Sequence, residues 1–201
     1  MNNNKFDTLN KNIRFRLDRG KLEDYTFDVP NVSDIPGFNR ITQDRNKIRS
    51  EVLDQIYSLM PTDLVFVSMH AGSEYVNKPN QFQIDFARKA IDLGAEVVIG
   101  HHPHVVQSME KYKGKYIFYS LGNFVFDQPF SFNTKAGIML KLNFNILGVR
   151  SVELLPYFMH NFVQPEFVEG ELADKILKQL NYDFSSDLNI KPFSKLRSEY
   201  K

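Results

Sequence analysis

Two short apolar runs stand out along the chain, residues 63–69 (DLVFVSM) and 96–99 (EVVI). Each is too short for a helix and too uniformly apolar for a strand with one wet face, so each reads as a buried strand. Between them, Phe82, Phe86, Ala90 and Leu93 recur at helical spacing, which predicts a helix over residues 80–93 with those four on its inner face. Gly94 follows, a residue suited to the left-handed turn that ends helices. Strand, helix and strand in that order imply a parallel pair joined by a crossover. Upstream, Ile48, Val52, Leu53, Ile56 and Leu59 predict another helix over 43–60, stopped by Pro61. Residues 12–17 (NIRFRL) alternate polar and apolar and predict a short strand, and the Pro/Gly-containing stretch 28–37 reads as a loop.

Downstream of residue 104 the pattern changes. Residues 105–112 and 115–120 flank Lys113-Gly114, and residues 138–144 and 149–155 flank Leu147-Gly148. Both arrangements predict hairpins. A helical pattern follows over 171–180, and the last twenty residues are polar with scattered aromatics, which suggests a loosely held tail. An α/β half is therefore succeeded by antiparallel strands. The expected organisation is an N-terminal segment of low definition over 1–42, a main domain over 43–165, and a C-terminal helix and tail over 166–201.

Composition narrows the function classes. Hydrophobic residues make up 42% and charged residues 24%, and the formal net charge is +1. No global field draws such a chain to nucleic acid, and no clustered Lys/Arg stripe accompanies its aromatics. The absence of cysteine excludes disulfides and thiolate metal sites. No apolar run reaches the roughly 20 residues of a spanning helix, and the first twelve residues lack the apolar middle of a signal peptide.

The candidate chemistry lies in histidine. Four of the five histidines fall between residues 70 and 104: His70 after the first buried strand, and His101, His102 and His104 after the second. Carboxyl ends of neighbouring parallel strands are where open α/β sheets bind ligands. Pro103 biases His102 towards extended backbone, which would aim His102 and His104 to one side. Gly100 would let the chain leave its strand sharply, and Gly72 would permit close backbone approach beside His70. Neutral imidazoles converging from two loops suit a first-row transition metal. His160, in an aromatic stretch, reads as packing. Ser120 lacks the flanking glycines of a nucleophile elbow, and Lys111, Lys113 and Lys115 read as a solvated hairpin edge rather than a polyanion contact.

Three segments, 68–75 (SMHAGSEY), 94–104 (GAEVVIGHHPH) and 119–126 (YSLGNFVF), together resemble the CapA-type capsule synthesis family, relatives of the calcineurin-like metallophosphoesterases. Ala71 departs from the aromatic usual in that family. The resemblance implies an α/β, metallophosphoesterase-like αββα sandwich, N-terminally incomplete here and corresponding to the family's C-terminal portion. It implies His70, His102 and His104 as metal ligands, with Glu74, Tyr75, His101 and Asn123 in supporting or substrate-contacting roles, and it assigns no catalytic residue. Family members carry earlier Gly-Asp, Asn-Leu-Glu and Asn-Asn-His motifs, none of which occurs in this sequence. Three histidines bring no charge to offset two neighbouring cations, so the implied cofactor is a divalent Mn, Fe or Zn ion held incompletely, or none. The implied role is in biosynthesis of a capsule of poly-gamma-glutamate or a similar anionic polymer. It is either that of an enzyme portion performing metal-assisted hydrolysis or transfer, or that of a non-catalytic module in envelope assembly. Implied partners are the polymer or its precursor, a missing N-terminal half and other capsule-assembly proteins, with no nucleic acid. The family resemblance implies an extracytoplasmic, membrane-associated location.

Overall fold

The structure, a computed structural model, describes residues 13–20, 38–40, 64–161, 164–187 and 189–192. These residues form two sheets with few helices. The elements, in chain order, are strands β1 (Ile13–Gly20), β2 (Phe38–Arg40) and β3 (Leu64–Ala71), helix α1 (Gln81–Asp92), strand β4 (Ala95–His101), and the hairpin β5 (Met109–Tyr112) and β6 (Lys115–Phe118). Helix α2 (Phe132–Lys135), strands β7 (Ala136–Asn145), β8 (Gly148–Asn161) and β9 (Gln164–Phe167), helix α3 (Gly170–Leu177) and strand β10 (Ile190–Pro192) complete them. The predicted helix over 43–60 and the loop over 28–37 lie outside the described residues.

The chain divides into two compact units. The first contains the described residues up to Gly72, together with Asn80–His101 and Lys111–Ile117. Its sheet has the order β2-β1-β3-β4-β6-β5, with β1, β2, β3 and β4 mutually parallel where they pair. Strand β3 is buried along most of its length and β4 nearly throughout, as expected of parallel strands covered on both faces. That is why both were readable as plain apolar runs. The strands extend further than their apolar cores, however. His70 lies within β3 and His101 is the last residue of β4, and the two are partners in the ladder. Gly100 accordingly sits inside the strand and does not mark the exit expected of it.

Helix α1 begins with a capping box. Asn80 Oδ1 accepts from Gln83 N at 3.0 Å, and Gln83 Oε1 accepts from Asn80 N at 3.0 Å. Such a cap contributes about 1 kcal/mol. The buried face of α1 consists of Gln83, Phe86, Ala87, Ala90 and Ile91, rotated from the predicted face so that Phe82 and Leu93 are only half-buried. The rotation follows from Gln83, a polar residue drawn inside because its amide closes the cap. Gly72 has φ +125°, and a Cβ there would stand 2.7 Å from Gln83 Oε1. The close approach at Gly72 is therefore to this amide. At the other end Gly94 has φ +102°, as a helix stop requires.

The β5–β6 hairpin turns on Lys113 (φ +49°) and Gly114 (φ +80°), the pair of positive angles that matches strand twist in a two-residue turn. Its lysines are not a free cationic edge. Lys113 pairs with Asp92, and Lys115 pairs with the buried carboxylate of Glu96. The hydrogen bond from Lys113 holds the Asp92 carboxyl below its ordinary range.

The second unit comprises Ser73–Pro79, His102–Glu110 and the described residues from Phe118 onwards. Its sheet is organised on the long strand β8. Strand β7 runs antiparallel along one edge, and β10 (parallel) and β9 (antiparallel) pair with successive stretches of the other. The β7–β8 turn falls on Ile146 and Leu147, one residue earlier than predicted, because Asn145 pairs with Gly148 and Asn145 Oδ1 caps the turn by accepting from Leu147 N. Strand β10 lies within the stretch expected to be a loose tail, and there Ile190 is buried against the sheet. Helix α3 buries Ala173, Ile176 and Leu177, and the helical pattern over 171–180 finishes as a 3-10 turn, Lys178–Leu180.

Phe86 is fully buried in the first unit. Phe86→Ala should therefore lower unfolding free energy by about 3–5 kcal/mol, read as a drop in the urea midpoint at unchanged slope. A loss below about 1 kcal/mol would contradict the packing described.

Candidate functional site

The site is built from three segments of the second unit: Ser73–Pro79, the start of His102–Glu110, and the turn around Asn123. Backbone bonds fix the first two against each other. Tyr75 N donates to Pro103 O at 2.8 Å, so the residue following Glu74 is tied to the residue between His102 and His104. Gln107 is fully buried and its amide nitrogen donates to Val76 O (2.7 Å) and Lys78 O (3.0 Å). Asn77 Nδ2 donates back to Val106 O at 3.3 Å. An otherwise exposed loop is thus held by one interior amide, Gln107, which satisfies two of its carbonyls, and by its own Asn77 amide reaching Val106 O.

His102 and His104 do not adopt the extended backbone that Pro103 suggested. Their φ angles are +97° and +60°, and Tyr75 is at +61°. Three non-glycine residues in the left-handed region within one small site amount to stored strain of order 1–3 kcal/mol each. The convergence of the two imidazoles therefore comes from two left-handed residues flanking a proline, not from alternation along a strand. The two rings lie 6.0 Å apart between centroids.

One donor atom each from Glu74, His102 and His104 lie within 4.8 Å of one another. Glu74 is exposed and the two histidines half-buried. The cluster thus contains a carboxylate, which supplies negative charge beside two imidazoles. His70, on β3, belongs to the first unit, where its side chain is exposed and it pairs in register with His101. Burial pushes the His101 imidazole below its ordinary pKa, which keeps it neutral near pH 7.

Around His104 the remaining named residues close in. Asn123 Oδ1 lies 2.7 Å from His104 Nδ1. The Tyr75 ring stacks on the His104 ring at 5.9 Å and 28°, and Phe126 lies 4.8 Å from it. Gln128 Nε2 donates to Tyr75 Oη at 3.0 Å. Asn123 itself is buried and held by Asn123 Nδ2 donating to Thr134 O at 3.0 Å, and by the Tyr157 hydroxyl donating to Asn123 O at 2.7 Å. Burial pushes the Tyr157 phenol far up, so it stays a donor at any physiological pH. Two glycines make this possible. Gly122 (φ +79°) supplies the turn before Asn123, with Ala136 O 2.5 Å from where a Cβ would stand. Gly137 leaves room for the Tyr157 ring and hydroxyl, which any Cβ there would overlap.

Sequence reasoning missed Gln107, Gln128, Tyr157 and Gly137. Their signal is absent from periodicity, because each acts through one or two individual hydrogen bonds or a single missing atom. Two bland readings agree with the structure. Ser120 is 1% exposed and so offers no accessible nucleophile, and His160 packs edge-on to Phe158 at 5.2 Å.

Comparison with known proteins places these residues in a family. The family described as "Bacterial capsule synthesis protein PGA_cap" matches residues 10–128, which include Glu74, His102, His104 and Asn123. The chain is 38% identical over 122 residues to a "PGA biosynthesis protein CapA" of Bacillus subtilis, an alignment covering 60% of this chain and 32% of that protein. It is 37% identical over 123 residues to a "Capsule biosynthesis protein CapA" of Bacillus anthracis, covering 61% and 30% respectively. A "Probable polyglutamine synthesis accessory protein" of Mycobacterium tuberculosis is 39% identical over 67 residues, covering 33% of this chain and 18% of that protein. The chain spans about a third of the length of the two Bacillus proteins. With more than half of its residues matched by the family and the donor cluster inside the match, the chain belongs to the bacterial capsule synthesis protein family.

Proposed function

We propose that the chain serves the biosynthesis of a capsule polymer, poly-gamma-glutamate or a similar polyanion, through a metal ion held by Glu74, His102 and His104. The observation that carries this reading is the approach of their donor atoms to within 4.8 Å. One carboxylate and two imidazoles are a donor set used for zinc and for non-haem iron, and manganese accepts the same atoms. Family membership and the names of the relatives supply the capsule context. To the same proposal belong a metallophosphoesterase-like sandwich and an extracytoplasmic, membrane-associated location. No described helix is long and apolar enough to cross a membrane.

A bound divalent ion supplies Lewis acidity at an electrophilic phosphoryl or acyl centre and lowers the pKa of a coordinated water. The chain's own residues set the ion's surroundings. His104 is braced by Asn123 and covered by Tyr75 and Phe126, which limits water on that side. Glu74 stands at the exposed side and offsets part of the ion's charge. With a single carboxylate among the described donors, a second cation alongside would meet strong repulsion, so one ion is the occupancy these donors suit. That single carboxylate also favours a second reading, a non-catalytic module contributing to an assembly of capsule proteins. In that case the isolated chain hydrolyses simple phosphate esters negligibly. Metal-dependent turnover that disappears in His102→Ala would decide for the enzyme.

Two measurements test the main reading. Elemental analysis after loading with Zn²⁺, Mn²⁺ or Fe²⁺ should find about one ion per wild-type chain, as a single donor cluster implies. It should find essentially none in the His102→Ala, His104→Ala double variant, and equal content in both would sink the metal site. The same titration on His70→Ala decides whether the third histidine named by family resemblance takes part. Deleting the gene from its host should sharply reduce cell-associated polymer. A complementing copy carrying the double variant should fail to restore it, and polymer output indifferent to the deletion would remove the capsule role.

A further inference from the structure

We infer that Asn123 is a positioning residue that fixes His104 in its Nδ1–H form, leaving Nε2 as the lone pair that serves the donor cluster. The inference rests on the metal-holding reading for its purpose, but its central claim concerns the metal-free imidazole.

The assignment follows by elimination. A side-chain amide has one donor end and one acceptor end, and at ordinary precision the two are told apart by their partners. Here one end of the Asn123 amide faces Thr134 O at 3.0 Å, and a backbone carbonyl can only accept. That end must be the nitrogen, since the reverse orientation would press two acceptor oxygens together in a buried setting. The other end, 2.7 Å from His104 Nδ1, is therefore the oxygen. An amide oxygen can only accept, so Nδ1 must carry the proton. A neutral imidazole protonated on Nδ1 has its lone pair on Nε2. Gln128 Oε1, 3.4 Å from Asn123 Nδ2, fits the same orientation, because it too is an acceptor facing the nitrogen.

Asn123 is well placed to hold this setting because its backbone is pinned as well. The Tyr157 hydroxyl donates to Asn123 O at 2.7 Å, and the ring that carries it lies over Gly137. Gly122 positions the turn from the other side. Turning the side chain away would break the bond to Thr134, and shifting the backbone would break the bond from Tyr157. Histidine ligands commonly have their second nitrogen held by a carboxylate or a carbonyl oxygen. An amide oxygen does the same here without adding charge, so Glu74 remains the one negative group in the cluster.

The test reads the tautomer directly. Long-range proton–nitrogen NMR spectra of the metal-free chain at mildly alkaline pH, where imidazoles are neutral, should show His104 protonated on Nδ1. Asn123→Leu removes the acceptor. It should shift His104 towards the Nε2–H form and weaken binding of Zn²⁺ alone by about 10–100-fold. Asn123→Asp retains the acceptor for Nδ1 and should keep the Nδ1–H form, at a cost in stability because its second oxygen would face Thr134 O. Thermal unfolding of each variant establishes that it is folded. Should Asn123→Leu fail to fold, Tyr157→Phe, which keeps the ring but removes the bond to Asn123 O, replaces it and should give a smaller shift of the same sign. Wild-type His104 protonated on Nε2, or a folded Asn123→Leu chain with unchanged tautomer and unchanged Zn²⁺ affinity, overturns the proposal. An Nδ1–H imidazole in a chain that binds no Zn²⁺ would uphold the Asn123 assignment while removing the metal reading, so the two can fail separately.

Discussion

The bond from Tyr75 N to Pro103 O is the constraint on which the site depends. It joins two segments that are far apart in the chain at the one residue lying between His102 and His104. A carbonyl between two left-handed residues is turned out of the path an extended segment would give it, so it can receive a donor from the neighbouring loop. The strain at His102, His104 and Tyr75 and the bond at Pro103 are thus parts of one arrangement. Positive φ angles in bulky residues persist only where surrounding contacts over-determine them. Here Gln107, from inside, and Asn77, from the loop itself, supply those contacts.

This arrangement divides labour among the three donors. His104 is tightly held, with Asn123 at one ring nitrogen and two aromatic rings around it. His102 stands next to Pro103, whose carbonyl is bound from Tyr75. Glu74 is exposed, and its loop is fixed one and two residues further along. A rigid imidazole beside a more adaptable carboxylate can meet an ion of imperfectly matched size, which fits the range of first-row metals that this donor set serves.

Much of the scaffold was legible in the sequence, for physical reasons. Strands β3 and β4 are buried on both faces, so nearly every side chain must be apolar and the run is visible without periodicity. The α1 helix carries its own punctuation in Asn80 and Gly94. Lys113-Gly114 marks a hairpin because Gly114 accepts the required angle freely. The histidines were legible as a group, since four in two strand-end segments is conspicuous. Their geometry was not. A proline's effect on the preceding residue is a local preference, and the tertiary bond at Pro103 overrides it. Glu74 entered as a residue of undefined role, because nothing local shows that the seven-residue loop Ser73–Pro79 is folded back onto 103–107. Gln83 was read past for a related reason. A polar residue inside a helix face looks like a solvent position until its cap and its glycine neighbour are seen together.

Gly137 and Tyr157 show how a missing atom can matter as much as a present one. A methyl group at 137 and an aromatic ring at 157 compete for one volume, so neither position is free to drift alone. Across related chains the two should behave as a single unit of variation: a lineage that acquires a side chain on β7 must give up the ring on β8, and the prop beneath the asparagine turn goes with it.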